Sequence, residues 1–461
     1  MDLGLPLACL IGLLLVPWVG MLLSRRLDVL SPVLLFTVCV FIGYVVPMPA
    51  FLAGIDPVST TWTNVYGDFE RSLARALWVT VLGVIGFYLG YGVVRDLLPA
   101  TRLSDAADHS RPWRKKNLQS VSFVYTVGGL GLFAAGVAII GGPQRLTIGL
   151  SDRVSLFAGL NYLFSAINLL LVVSLVWWVR ALCEERLPRP AFWLYTACAL
   201  ALAAFQGSKA VLFVFTLTMV IVYHTLRRRV PLARLALLGL LFPLFIAVYA
   251  IFVREYVVWG EIRSIDAGES WPIFLWLLAT TEFAGNFVQL QALTLVIDRV
   301  PDVLDFQTGR TLLALLSLPV PSGLYPDKYL TAPGVFTLAI DADRWLVGGT
   351  TLPPGLIGEM YMNFGVAGVL VGLTMFGAAL GWVRRLMKER GRDPVIVTQY
   401  ALIVAMMAHY VRGDLVSPTV LLLIFALPTL VMLRVGLARR RRTDPDRDAR
   451  VVDRAVAEPA P

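Results

Sequence analysis

The sequence predicts an all-α, polytopic membrane protein, and three observations lead there. Hydrophobic residues make up 57% of the chain and charged residues only 15%. Apolar runs of about 20 residues, the length a helix needs to cross a hydrocarbon core, recur from end to end. The basic residues gather at the ends of those runs. The net charge of +9 therefore marks membrane borders and not a nucleic-acid-binding face.

A helix-length hydropathy window places about 11 spans. The first, 3–22, lacks the basic leader and small-residue cleavage site of a signal peptide and is expected to be retained. It is followed by 30–50, 74–94, 120–140 and 158–180. Spans 190–206 and 209–226 are separated only by the tip of "FQGSKAVLF", and 233–253 closes an N-terminal bundle, 1–253. Spans 357–383, 394–411 and 417–437 form a C-terminal group, 357–437. The tail, 438–461, is basic and expected to be disordered at the lipid surface. No internal repeat of the transporter kind is present.

Between the two groups lies 254–356, the longest connection. Its stretches "WPIFLWLLATTEFAGNFVQLQALTLVI" and "TLLALLSLPVPSGL" are apolar enough to lie in the interface or dip into the bilayer as amphipathic or re-entrant helices. Glu282, Asn286 and Gln289 interrupt the first, which favours one outer region over a further pair of spans within 273–318. Alternate connections, among them 384–392 and the tail, hold 28 of the 40 Lys and Arg residues. The positive-inside rule puts those in the cytoplasm, the N-terminus outside and 254–356 on the outer face.

Cys9, Cys39, Cys183 and Cys198 have no framework spacing and read as buried thiols. His109, His224 and His409 are too scattered for a zinc site. "SIDAGES" and "AIDADRW" lack the full ligand series of a calcium loop. No metal or cofactor is expected.

The unusual polar residues fall on the outer side. Lys209 sits at the tip between two spans, Arg254 and Glu255 end 233–253, and Arg310 and Lys328 lie in "QTGRTLL" and "VPSGLYPDKYL". "PPGLIGEMYMNFGVAGV" puts Glu359 where a span begins and Asn363 one turn further on. "MAHYVRGDLVSPT" supplies His409, Arg412 and Asp414. A single Lys or Arg at a span end is often only an anchor. Glu359 could merely cap its helix, since the dipole favours a carboxylate at an N-terminus. Gly365, Gly368, Gly372, Gly377 and Gly381 read as a small-residue packing stripe.

Together, cations and a carboxylate on one face suit displacement of a diphosphate. Arg and Lys grip phosphate oxygens and stabilise a leaving group. A carboxylate can take the attacking hydroxyl's proton or shield an oxocarbenium-like centre. Glu359 is the first choice for that base, with Asp414, His409 and Glu255 as alternatives.

At "LYPDKYL", "PPGLIGEMYMNFGVAGV" and "HYVRGDL" the chain resembles the bacterial O-antigen polymerase (Wzy) family, with motifs over roughly 200–436. The Glu-containing motif is the specific one. The resemblance implies a metal-independent, inverting glycosyltransferase in the bacterial cytoplasmic (inner) membrane, on a bundle similar to GT-C enzymes. It would move a growing glycan from undecaprenyl diphosphate to a new undecaprenyl-diphosphate-linked repeat unit, beside a flippase and a chain-length co-polymerase. Carried over by position, Lys209, Arg254, Lys328, Glu359, Arg412 and Asp414 are its site residues. An O-antigen ligase is the nearest alternative, but such ligases depend on a histidine in the large outer loop, and 254–356 has none. A flippase or transporter would carry its ionisable groups deeper in the spans.

Overall fold

The computed structural model describes residues 3–25, 28–49, 69–97, 112–149, 159–205, 209–239, 241, 289–318, 320, 324–325, 327–346, 351–391 and 393–438. Among these, eight helices are long and apolar enough to cross a membrane: Gly4–Leu23, Phe69–Val94, Lys115–Ile139, Asn161–Cys183, Lys209–Leu226, Gly355–Arg390, Pro394–Arg412 and Val416–Gly436. Pro32–Val45 and Pro190–Ala204 are shorter apolar helices at two further expected spans. The expected span 233–253 lies largely outside the described residues, as does the tail. The chain is thus an all-α polytopic membrane protein, and no strand occurs among the described residues.

Two apolar cores divide the bundle. One joins Asn161–Cys183, Lys209–Leu226, Pro394–Arg412 and Val416–Gly436 around side chains such as Leu171, Phe215, Leu402 and Phe425. The other joins Gly4–Leu23, Pro32–Val45 and Phe69–Leu97 to Gln289–Arg299 and Gly355–Arg390 around Phe36, Phe87, Leu293 and Leu373. The expectation for Gln289–Arg299, within the long connection, is refined here. Every residue from Gln289 to Ile297 is buried, so this helix is enclosed by protein and does not lie flat in an interface. Arg310–Ser317 does have two faces: Thr311, Ala314 and Ser317 are buried, while Leu313 and Leu316 are exposed.

Connections expected on one side of the membrane meet at one end of the bundle. Asp28 Oδ2 receives Arg384 Nη2 at 2.6 Å, and Arg384 Nη1 donates to the Tyr400 hydroxyl at 2.8 Å. His224 Nε2 lies 3.3 Å from Asp28 Oδ1, while its Nδ1 accepts from the Val230 N–H at 3.0 Å. Arg227 pairs with Glu185 at 3.5 Å. Trp113 bridges Leu437, so the chain before Lys115–Ile139 and the chain after Val416–Gly436 also meet. Burial alone would push the Asp28 pKa up. His224 and the Arg384 guanidinium outweigh that and hold it at about 2.

Helix Gly355–Arg390 is not one rod. Gly365 has φ 64° and ψ −154°, a combination open essentially only to glycine, and the helix breaks there. A Cβ on Gly368 would lie 2.6 Å from the Met360 carbonyl oxygen, and one on Gly372 would lie 2.5 Å from Met360 Sδ. In a straight helix residues 360 and 372 stand about 18 Å apart. The chain therefore folds back on itself, with a short arm at 355–364 and a long arm at 366–390. This corrects two expectations. Glu359 does not open a through-going span; it sits on the short arm of a helical hairpin. The five glycines are not one stripe either. Gly365 makes the bend, Gly368 and Gly372 close the two arms on each other, and Gly377 and Gly381 lie against the backbone of Phe87 and Tyr91.

Candidate active site

The short arm starts from a tight turn. Pro353 and Pro354 lead into Gly355, whose φ of 76° suits glycine. A Cβ there would stand 3.0 Å from both the Tyr44 hydroxyl and the Val411 carbonyl oxygen. Tyr44 comes from a π-helical turn, Phe41–Val45, at the end of Pro32–Val45. The Gly355 N–H donates to the Gly413 carbonyl at 3.0 Å, which locks the start of the arm to the Arg412-Gly413-Asp414 turn. Gln289 Nε2 also reaches the Arg412 carbonyl, at 3.5 Å.

One turn along the arm, Glu359 is fully buried. Its Oε2 accepts from the Leu415 N–H at 2.5 Å, and its Oε1 accepts from the Thr311 hydroxyl at 3.1 Å. The capping idea changes accordingly. Glu359 lies past the first turn of its own helix, but the N–H it takes is that of Leu415, the N-cap of Val416–Gly436. Asp414 serves the same helix, since its carboxylate accepts from the Ser417 N–H at 3.2 Å and the Ser417 hydroxyl at 2.9 Å. Two carboxylates thus share the positive end of one helix dipole. Burial pushes the Asp414 pKa above its usual range, against the lowering effect of the Ser417 hydrogen bonds.

The break at Gly365 explains how the long connection docks. A helix bend leaves carbonyls without their usual donors. Here Met362 O accepts from the Gln307 N–H at 2.9 Å and Asn363 O from the Thr308 N–H at 3.1 Å. Asn363 Oδ1 takes the Gly309 N–H at 2.9 Å. Its Nδ2 donates to Thr311 Oγ1 at 2.7 Å and to the Glu359 carbonyl at 2.8 Å. Below this contact Ala292, Val296, Phe336, Leu352 and Met362 form a small apolar core of their own.

Of the expected site residues, the structure brings together Glu359, Asn363 and Asp414, with Arg412 in the turn they hold. His409 lies against the Ala210 backbone and within electrostatic reach of Arg412, which brings the start of Lys209–Leu226, and so Lys209, to the same end. Arg310 is exposed on the docking loop. Lys328 Nζ approaches the Leu318 carbonyl at 3.5 Å, about two helical turns from Thr311. Arg254 and Glu255 lie outside the described residues. Thr311 was not anticipated, and no pattern in the sequence singles it out. Among the described residues, no group of three or more His, Cys, Asp or Glu side chains could hold a metal.

Fold and site define a multi-pass membrane protein with a carboxylate-bearing helical hairpin clamped to an Arg-Gly-Asp turn. Within that class, the model of the family described as "Putative O-antigen polymerase" matches residues 342–423, and the resemblance read from the motifs holds over that stretch. It contains Glu359, Asn363, His409, Arg412 and Asp414, the whole hairpin and the turn. No curated protein and no solved structure matched the chain.

Proposed function

We propose that this protein polymerises lipid-linked oligosaccharide repeat units on the outer face of the bacterial cytoplasmic membrane. The observation that carries the reading is the clamp itself. Gly355 and Glu359, one turn apart on the short arm, hold the Arg412–Leu415 turn at two points, inside the stretch that matches the family. In the proposed reaction a hydroxyl of the acceptor repeat unit attacks the anomeric carbon of the donor glycan. The bond from that carbon to the diphosphate oxygen breaks, undecaprenyl diphosphate leaves, and the hydroxyl proton passes to a base. Inversion follows from a single displacement, and the chemistry calls for no metal. Arg412, with Lys209 and His409 near it, stabilises the diphosphate as its charge develops. Arg254, Arg310 and Lys328 are assigned to the glycan or to the second diphosphate.

Glu359 is assigned the base. A carboxylate has about four acceptor positions, and the two hydrogen bonds it accepts leave room for a proton. Asp414 is given to holding the turn. The test uses purified protein and the undecaprenyl-diphosphate-linked units that build up in cells lacking it. Glu359→Gln can still accept from Leu415 and donate toward Thr311, so the clamp survives, but proton acceptance is lost. Turnover should fall by ~10²–10⁴ at unchanged thermal stability. Near-wild-type turnover would leave Glu359 a strut and move the base elsewhere. Transfer of finished polymer to lipid A core in place of chain growth would favour the ligase.

The proposed orientation has the N-terminus outside, the C-terminus in the cytoplasm and the clamp outside. A reporter fused after Arg442 should be active only in the cytoplasm, and one within 260–270 only outside. The reverse pattern would turn the clamp toward the cytoplasm and sink the reading. A flippase and a chain-length co-polymerase are the proposed partners.

A further inference from the structure

With Glu359 taken as the carboxylate, the hydrogens around it follow from its neighbours. Asn363 Oδ1 accepts from the Gly309 N–H at 2.9 Å, which fixes the amide so that its Nδ2 faces Thr311 Oγ1 at 2.7 Å. An amide nitrogen only donates, so Thr311 accepts there. Its one proton is then left for Glu359 Oε1, 3.1 Å away. Thr311 is fully buried, and the opposite carboxylate oxygen is occupied by the Leu415 N–H. The carboxylate is thus pinned at both oxygens by donors from two other segments. One of these is set by how the loop at 307–311 docks on the broken helix.

We propose that Thr311 is the positioning residue of the Glu359 carboxylate, through which the docked loop sets its direction toward the acceptor hydroxyl. This rests on the polymerase reading given above. It differs from a packing role because packing needs only the shape of residue 311, whereas positioning needs its hydroxyl. A misdirected base slows the chemical step more than it weakens substrate binding, since orientation counts most in the transition state.

The experiment is a substitution series, Thr311→Val, Thr311→Ala and Thr311→Ser, with the same lipid-linked units. Valine keeps the shape and removes the donor. Its kcat should fall roughly 10–100-fold, the range set by one lost hydrogen bond to a charged group, with little change in KM. Alanine should behave alike if valine disturbs folding. Serine should restore kcat to within about threefold of wild type. Combined with Glu359→Gln, Thr311→Val should add almost nothing, because a positioning residue has nothing left to position. Wild-type kcat in the valine or alanine variant overturns the proposal, as does a serine variant as poor as valine or a double variant whose losses multiply. A second cycle, Thr311→Val with Glu359→Leu, which removes both carboxylate oxygens, is read as melting temperatures in detergent and needs no activity: shifts that fail to add support the link, and additive shifts overturn it. Failure of the wild-type protein to lengthen the glycan would instead overturn the polymerase reading, with the melting cycle still deciding the role of Thr311.

Discussion

The two ends of the bundle handle buried carboxylates in opposite ways. At the Asp28 end, the acid meets a guanidinium at 2.6 Å and a histidine, and the guanidinium is further held by the Tyr400 hydroxyl. At the Glu359 end, the described partners of both acids are neutral, namely two backbone N–H groups and two hydroxyls. A matched ion pair is nearly finished as chemistry; it can hold helices together and do little else. A carboxylate fixed by neutral donors keeps spare acceptor positions where a proton can be taken up. The first end is a fastener, and the second is where the proposed base sits.

The comparison breaks most visibly at Gly365. Gly365→Ala places a side chain where φ is 64° and the Phe306 ring is 3.5 Å from the new Cβ. The strain of about 1–3 kcal/mol should straighten or shift the bend, undock the loop and cut turnover by up to roughly 100-fold. An alanine variant with wild-type turnover and melting temperature would mean that the bend does not set the site. Asp28→Asn should do the reverse. It leaves Arg384 poorly matched, so stability in detergent unfolding should drop by about 2–3 kcal/mol, while turnover of the folded protein stays near wild type. Loss of turnover without loss of stability would erase the distinction between the ends.

The smallest effect is a pH dependence. The Asp28 pKa is lowered from 3.8 to about 2 in the fold, so its contribution is present above the unfolded value and is lost as pH falls through the folded one. Between pH 5 and 3 the wild type should lose about 1 kcal/mol from this group. Asp28→Asn should not show that increment. Equal acid sensitivity in both proteins would remove Asp28 from the account.

Hydropathy made the spans legible because long apolar helices announce themselves by length alone. The Arg and Lys count likewise foretold that 24–31, 184–189, 227–234 and 384–393 share an end. The Glu359, Asn363 and Asp414 grouping was legible because each polar residue stood out against apolar neighbours. The hairpin was not. A glycine inside an apolar run carries the same letter whether it packs two helices or bends one, and Gly365 stands in series with four glycines that pack. Thr311 was hidden for a related reason: one threonine in "TLLALL" gives no sign that its hydroxyl faces a carboxylate 48 positions later. Both depend on tertiary contacts that no local pattern encodes.

The bend also sets a depth. Glu359 precedes Gly365 by six positions, so the carboxylate hangs about 9 Å beneath the apex of the hairpin. There it is fully buried, with the Thr311 hydroxyl and the Leu415 N–H on its two oxygens. A transferase that works with an activated donor must keep water from acting as the acceptor, because hydrolysis would release the finished glycan early. A buried carboxylate is shielded from bulk water and meets only a group that is brought down to it. On the proposed reaction, a shorter arm would raise the carboxylate toward the apex, admit water and release glycan early, and a longer arm would do the opposite.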